Sequence, residues 1–370
     1  MSSAPSEKGG RIFGYDLVKC VAMFLVVLIH YIFYTDLYQD FSWKGNLFAV
    51  LGVAGVPLFL AVNGALLFSR PFDVRKHYRK TLMLIAVVFA WRLISVFVMA
   101  LIIQRSPFEF GIGAFVSYLF GAELGEDWHL GYFWFMYALI ALYVVFPALR
   151  LCWEDVRGRG VLLWVLACVA LLTTGVSVLT GLSDAAGRLL GFAAPSFDGL
   201  MQLDPFGEYA WALVYFCAGA FLPSWVARIR ELLGRKFFLV MAAGAVVAWL
   251  GLFAVQRYQA FAFDAVFVVL DRYTNPFTIA LSFFLFAALS SVDATSVRVR
   301  GAMKVFGDNP LGVYFLHRFV LVFIGEYVYP AIGVMPIIVN LLIAAVLYVG
   351  LTFASYGLRK VPYVQRLFKV

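Results

Sequence analysis

Three ionisable side chains, Asp16, Lys19 and His30, stand within one apolar run, RIFGYDLVKCVAMFLVVLIHYIF. A charge near the centre of a bilayer costs at least ~2.5–3.5 kcal/mol even on insertion scales, so each position is a functional hypothesis by default. On a helix Asp16 and Lys19 are neighbours at i and i+3, the spacing of an ion pair. Lys19 and His30 are eleven positions apart, three helical turns, and so share one face about 16 Å apart along the axis. An imidazole titrates near neutrality and suits general-base work toward a hydroxyl, while a cation on the same face suits an anionic cosubstrate. The same residues also have a structural reading: Lys19 snorkels to the headgroups, Asp16 neutralises it, and His30 bonds at the interface.

Further along, His317 lies in FGDNPLGVYFLHRFVLVF with Arg318 beside it. Consecutive positions point about 100° apart, so both can face protein only if that helix is buried. His317 reads equally as a packing histidine bonded to a neighbouring helix. Arg92, after Trp91, has no short route to either membrane surface and is expected to pair with a carboxylate or to bind a phosphate. The basic stretch SRPFDVRKHYRK (69–80) contains Arg75, Lys76 and Arg79. It reads as a loop that fixes topology and attracts anionic lipid, or as the holder of the polyphosphate end of a nucleotide-bearing cosubstrate. His77 and His129 are expected to be solvated, and Asn63, Asn275 and Asn309 to join helices by hydrogen bonds. The four cysteines form no CxxC pair and read as packing residues. No P-loop, GxGxxG, HExxH or GxSxG motif occurs, so hydrolytic NTPase, dinucleotide, zincin and hydrolase-elbow chemistry lack support and no metal is expected.

The elements that carry these residues follow from composition. Of 370 residues, 64% are hydrophobic and 14% charged, with a mean hydropathy of +0.91. A soluble domain has roughly 25% charged and 45–50% apolar residues, so a soluble protein is excluded and the solvent must be lipid. The chain is expected to be all-α, one polytopic transmembrane helical bundle over 1–370. A short cytoplasmic tail (1–11) precedes it and another (357–370) ends it. About ten spans are predicted near 12–34, 46–68, 80–103, 129–150, 160–182, 208–225, 236–256, 274–292, 305–327 and 333–356. The segment 108–120 is too short to cross and is assigned to the interface or to a re-entrant stretch. Of the 29 Lys and Arg, 21 fall on one set of alternate connections and 5 on the other. That asymmetry predicts cytoplasmic termini and an even number of spans. The net charge of +8 is thereby assigned to topology, and nucleic acid is not an expected partner.

Four pieces in order resemble bacterial integral-membrane acyltransferase family three. They are YDLVKCVAMFLVVLIH in the first span, VPLFLAVNGALL (56–67), WFMYALIALYVVFP (134–147) and GVYFLH (312–317). The pattern is most similar to the branch that O-acetylates the enterobacterial common antigen. Lys19 stands where that family usually has Arg, and Asn63 where it usually has Ser. The resemblance implies O-acyl transfer from acetyl-CoA to a hydroxyl of an envelope glycan or lipid-linked sugar, in the bacterial inner membrane. It implies catalytic roles for His30, Asp16 and His317, with cosubstrate binding by Lys19, Arg92, Arg75, Lys76 and Arg79. The alternative from another class is a secondary transporter or flippase for a small polar or glycolipid solute. Such a protein would also bury a few ionisable groups among about ten spans. The absence of an obvious inverted repeat weighs against it.

Overall fold

A computed structural model describes residues 11–34, 43–204, 206–262, 272–333 and 335–368. All but one residue of the expected N-terminal tail, and the last two of the C-terminal one, lie outside the described residues. Among the described residues all regular structure is helical. The principal helices are α1 (Phe13–Phe33), α2 (Trp43–Gly52), α3 (Gly55–Ser69), α4 (Val74–Ile102), α5 (Gly111–Leu119), α6 (Trp134–Glu154), α7 (Val156–Ala170) and α8 (Val176–Leu190). They are followed by α9 (Ala210–Leu233), α10 (Phe237–Ala262), α11 (Pro276–Ser290), α12 (Val297–Asp308), α13 (Pro310–Phe323), α14 (Tyr329–Ile332) and α15 (Ile337–Leu358). Helices are the only open solution in hydrocarbon, because each backbone N–H and C=O is satisfied within its own segment.

Eight helical stretches among the described residues are long and apolar enough to cross a membrane, where sequence alone predicts about ten spans. The difference has two physical sources. One stretch, Gly207–Ala262, has 56 residues and would be about 84 Å long if straight, against a hydrocarbon layer of ~30 Å. Gly234, with φ of +50°, interrupts it and separates α9 from α10. The predicted span at 274–292 is present as α11, a shorter apolar helix of 15 residues. The segment 108–120 holds α5, nine residues long, with Phe108, Phe110, Ile112 and Phe120 exposed around it. The basic stretch 69–80 is not a loop throughout: Asp73 caps α4 through a 2.7 Å bond from the Lys76 N–H, so the helix begins at Val74.

Helix α1 is the axis of the bundle and packs against α2, α3, α11, α12, α13 and α15. Val18, Ala22, Met23, Val27, Leu28, Tyr31 and Ile32 are almost fully buried, as a helix hydrophobic all round must be. The tightest crossing joins α3 to α9. A side chain at Gly64 would strike the Phe216 carbonyl, and one at Gly219 would strike the Ala61 carbonyl. Two backbones therefore touch there, which membrane helices achieve through small residues. This crossing draws the end of α3 close to α6 and sets the wall of the cavity described next.

Candidate active site

A cavity of about 590 Å³ runs beside α1, which contributes Lys19, Met23, Val26, Ile29, His30 and Phe33 to its wall. The spacing of Lys19, Met23, Val26, His30 and Phe33 alternates four and three, one face of an α-helix. Asn63 faces in from α3, and His77, Lys80 and Leu84 from α4. From α6 come Trp134, Met136, Leu139 and Tyr143, and from α13 comes Tyr314. At one end, where α1 and α4 begin and α3, α12 and α15 finish, four cations line the wall: Lys19, Arg70, Lys80 and Arg359. At the other end the wall is Phe33, Trp134, Arg272 and Tyr273.

The cationic end is built around a buried carboxylate. Asp16 is 4% exposed and is bonded by Arg11, while Lys19 Nζ lies 2.9 Å from its Oδ1. Lys19 also donates to the Gly307 carbonyl at 3.1 Å. A Cβ at position 307 would run into the Asp16 carboxylate, so glycine is what lets α12 approach α1 this closely. Arg11 reaches on to Asp308 at 2.7 Å, and Arg359 donates to the Asp308 carbonyl. The Lys19 ammonium is thus oriented by Asp16 while its flank remains in the cavity wall.

His30 occupies the other half of α1, half-buried, with Nδ1 2.8 Å from the Val26 carbonyl. A carbonyl only accepts, so Nδ1 carries the proton and the Nε2 lone pair is the basic site. His317 is fully buried behind it. Its Nδ1 donates to the Tyr314 carbonyl at 2.6 Å, which leaves its Nε2 as an acceptor 3.3 Å from His30 Nδ1. The ring centroids are 5.0 Å apart. The two tautomers therefore interlock: the single Nδ1 proton of His30 is shared between Val26 and His317, and both bonds strengthen if Nε2 takes up a second proton. Tyr314 bonds the Tyr132 carbonyl at 2.6 Å and fixes α13 against the segment that enters α6.

Arg318 turns away from this pair and donates to the His129 carbonyl, at 3.1 Å from Nη2. Its guanidinium lies 5.2 Å from the Tyr34 ring and 5.7 Å from that of Tyr132. His317 is fully buried and Arg318 half-buried, so both neighbours in sequence meet protein. His129, expected to be solvated, is half-buried. It adopts a left-handed backbone conformation with φ of +55° and packs edge-on to Tyr34 at 5.4 Å. Burial, with the Arg318 charge adding, lowers its pKa from the usual value. His77, also expected to be solvated, is buried and donates Nε2–H to the Tyr143 carbonyl at 2.7 Å.

Arg92 is placed elsewhere. Among the described residues no carboxylate pairs with it; its Nη1 donates to the Tyr137 hydroxyl at 2.5 Å and its Nη2 to the Ala122 carbonyl at 2.6 Å. The guanidinium sits 4.0 Å over the Tyr118 ring. It ties α4 to α6 and to the chain after α5, and it is not among the residues lining the cavity. Arg75, Lys76 and Arg79 are exposed and do not line it either. The cations that do, besides Lys19, are Arg70, Lys80 and Arg359 at the cationic end and Arg272 at the other. The periodicity His77, Lys80, Leu84 identifies Lys80 as the residue on the inward face of α4. Arg70 and Arg359 lie at helix ends and carry no local signal beyond charge. Among the described residues no group of three or more His, Cys, Asp or Glu side chains is arranged to hold a metal ion.

Comparison with known proteins accords with this geometry. No curated protein and no solved structure matches the chain. A family model described as an acyltransferase domain matches residues 12–359, a range that begins just before α1 and ends at Arg359. All the residues that line the cavity except Phe368 fall inside that match. The multi-pass helical bundle is thus a membrane acyltransferase, and the chain belongs to acyltransferase family 3.

Proposed function

We propose that this protein is an O-acetyltransferase of the bacterial inner membrane. It takes acetyl from acetyl-CoA entering at the cationic end of the cavity and passes it to a hydroxyl of an envelope glycan or lipid-linked sugar. The observation that carries the reading is that Lys19 and His30 line one continuous cavity, cationic at one end, with an imidazole of defined tautomer on its wall. Lys19, Arg70, Lys80 and Arg359 suit the anionic nucleotide end of the donor. The walls between, Met23, Val26, Leu66, Leu84, Met136 and Leu139, suit a thin and weakly polar pantetheine arm. The exposed Arg75, Lys76 and Arg79 supply long-range attraction for the same anion.

In the reaction His30 Nε2 accepts the proton of the acceptor hydroxyl as its oxygen bonds to the thioester carbonyl carbon. The carbon–sulfur bond then breaks, and the departing thiolate takes the proton back from the imidazolium. His317 and the Val26 carbonyl hold the Nδ1–H throughout, which keeps Nε2 aimed at the cavity and stabilises the transient positive charge. Asp16 positions Lys19. Thioester consumption in purified membranes, assayed with and without a glycan acceptor, tests this reading. Acceptor-dependent release of free thiol is expected, and its absence with every saccharide acceptor offered would refute it.

A further inference from the structure

Away from the cationic end, the cavity wall includes Trp134, at the start of α6, and Tyr273, just before α11. These two rings lie 5.6 Å apart at 40°. Each is backed by another ring: Trp211 stacks on Tyr273 at 4.3 Å and 18°, and Tyr209 lies nearly parallel to Trp134 at 6.3 Å and 16°. Trp211 and Trp134 are 5.9 Å apart, closing the group. The Tyr215 hydroxyl donates to the Tyr273 carbonyl at 2.7 Å, which holds the backbone of that wall. An interfacial aromatic belt anchors a membrane protein through separate rings set in the headgroups. Here the four rings are half-buried, packed on one another, and two of them form cavity wall on the side of His30.

We infer that Trp134 and Tyr273 form the acceptor subsite and that its ligand is a pyranose ring. A sugar ring presents a face of C–H groups of matching area to an aromatic plane, with its hydroxyls left around the edge. The arrangement is rigid before the ligand arrives, so little ordering cost accompanies binding. Arg272 also lines this part of the wall and is exposed. It offers donors to the hydroxyl rim of the sugar. The inference rests on the acyltransferase reading above for its place in the reaction, but the binding it asserts does not depend on turnover.

The test uses the purified full chain in detergent and, as probes, methyl glycosides of hexoses and N-acetylhexosamines, with binding followed by intrinsic tryptophan fluorescence and by calorimetry. Saturable binding is expected in the wild type, at least tenfold weaker in Trp134→Ala and in Tyr273→Ala, and largely retained in Tyr273→Phe, which keeps the ring. Acetyl-CoA binding should be the same in all four proteins, which shows that the variants are folded. His30→Gln should bind the glycosides like the wild type while failing to transfer acetyl. No saturable binding by the wild type, or equal binding by Trp134→Ala, would overturn the subsite. If binding behaved as expected but His30→Gln still transferred acetyl at the wild-type rate, the catalytic reading would fail and the subsite would stand.

Discussion

Replacing His317 by phenylalanine removes the acceptor that faces His30, together with the Nδ1–H donated to the Tyr314 carbonyl, while keeping a ring of similar size in a fully buried position. The bond to Tyr314 is lost equally in both protonation states of His30, and the contact that differs between them is the 3.3 Å bond to His30 Nδ1, in the resting enzyme a neutral bond worth about 0.5–1.5 kcal/mol net. When His30 becomes an imidazolium the same contact is charge-assisted and worth about 1.5–3 kcal/mol. Only the difference between the two states affects the barrier. The contact is long and its proton is shared with Val26 at 2.8 Å, so the low end applies, about 1 kcal/mol. That predicts a fall in kcat of roughly fivefold, and no more than about tenfold. The assay is steady-state thiol release with acceptor in excess, with acetyl-CoA affinity measured on the same preparation. A loss of a hundredfold or more, with donor binding intact, would mean that His317 itself carries the proton. An unchanged kcat would mean that the contact has no part in the reaction.

Three further outcomes are expected. Lys19→Ala should raise the KM for acetyl-CoA at least tenfold, with Lys19→Arg partly tolerated, whereas Arg92→Ala should lower thermal stability with little specific effect on donor KM; equal donor KM for wild type and Lys19→Ala refutes the first part. Both termini should be cytoplasmic, so a cysteine placed at Val370 should label only from the inside, and labelling from outside overturns the charge assignment. The lowered His129 pKa means that the unfolded chain binds the extra proton more readily than the folded one below about pH 6.5, so stability should fall as pH drops from 7 to 5. His129→Asn, which tolerates the left-handed backbone, should flatten that slope in thermal unfolding followed by scattering.

What could be read from the sequence was local. The Asp16–Lys19 pair and the common face of Lys19 and His30 depend only on the period of one helix, and both are present, the first at 2.9 Å and the second as shared cavity wall. The meeting of His30 with His317 spans 287 positions and depends on how α1 and α13 pack, which hydropathy does not encode. Arg92 was legible as a buried cation without a route to water, but its partners are tyrosine rings and a carbonyl contributed by α5, α6 and the loop between them. Such partners leave no complementary charge in the sequence to find. The basic stretch at 69–80 was legible as charge, while the capping of α4 at Asp73 decides that Lys80 faces the cavity and that Arg75, Lys76 and Arg79 do not.

Turnover by His30→Ala is the most direct test of the proposed mechanism. A positioned general base contributes ~10²–10⁴-fold, so acceptor-dependent thiol release by the purified variant should fall by that range while acetyl-CoA still binds at wild-type affinity. Near-wild-type turnover in a folded, acetyl-CoA-binding His30→Ala protein would contradict it.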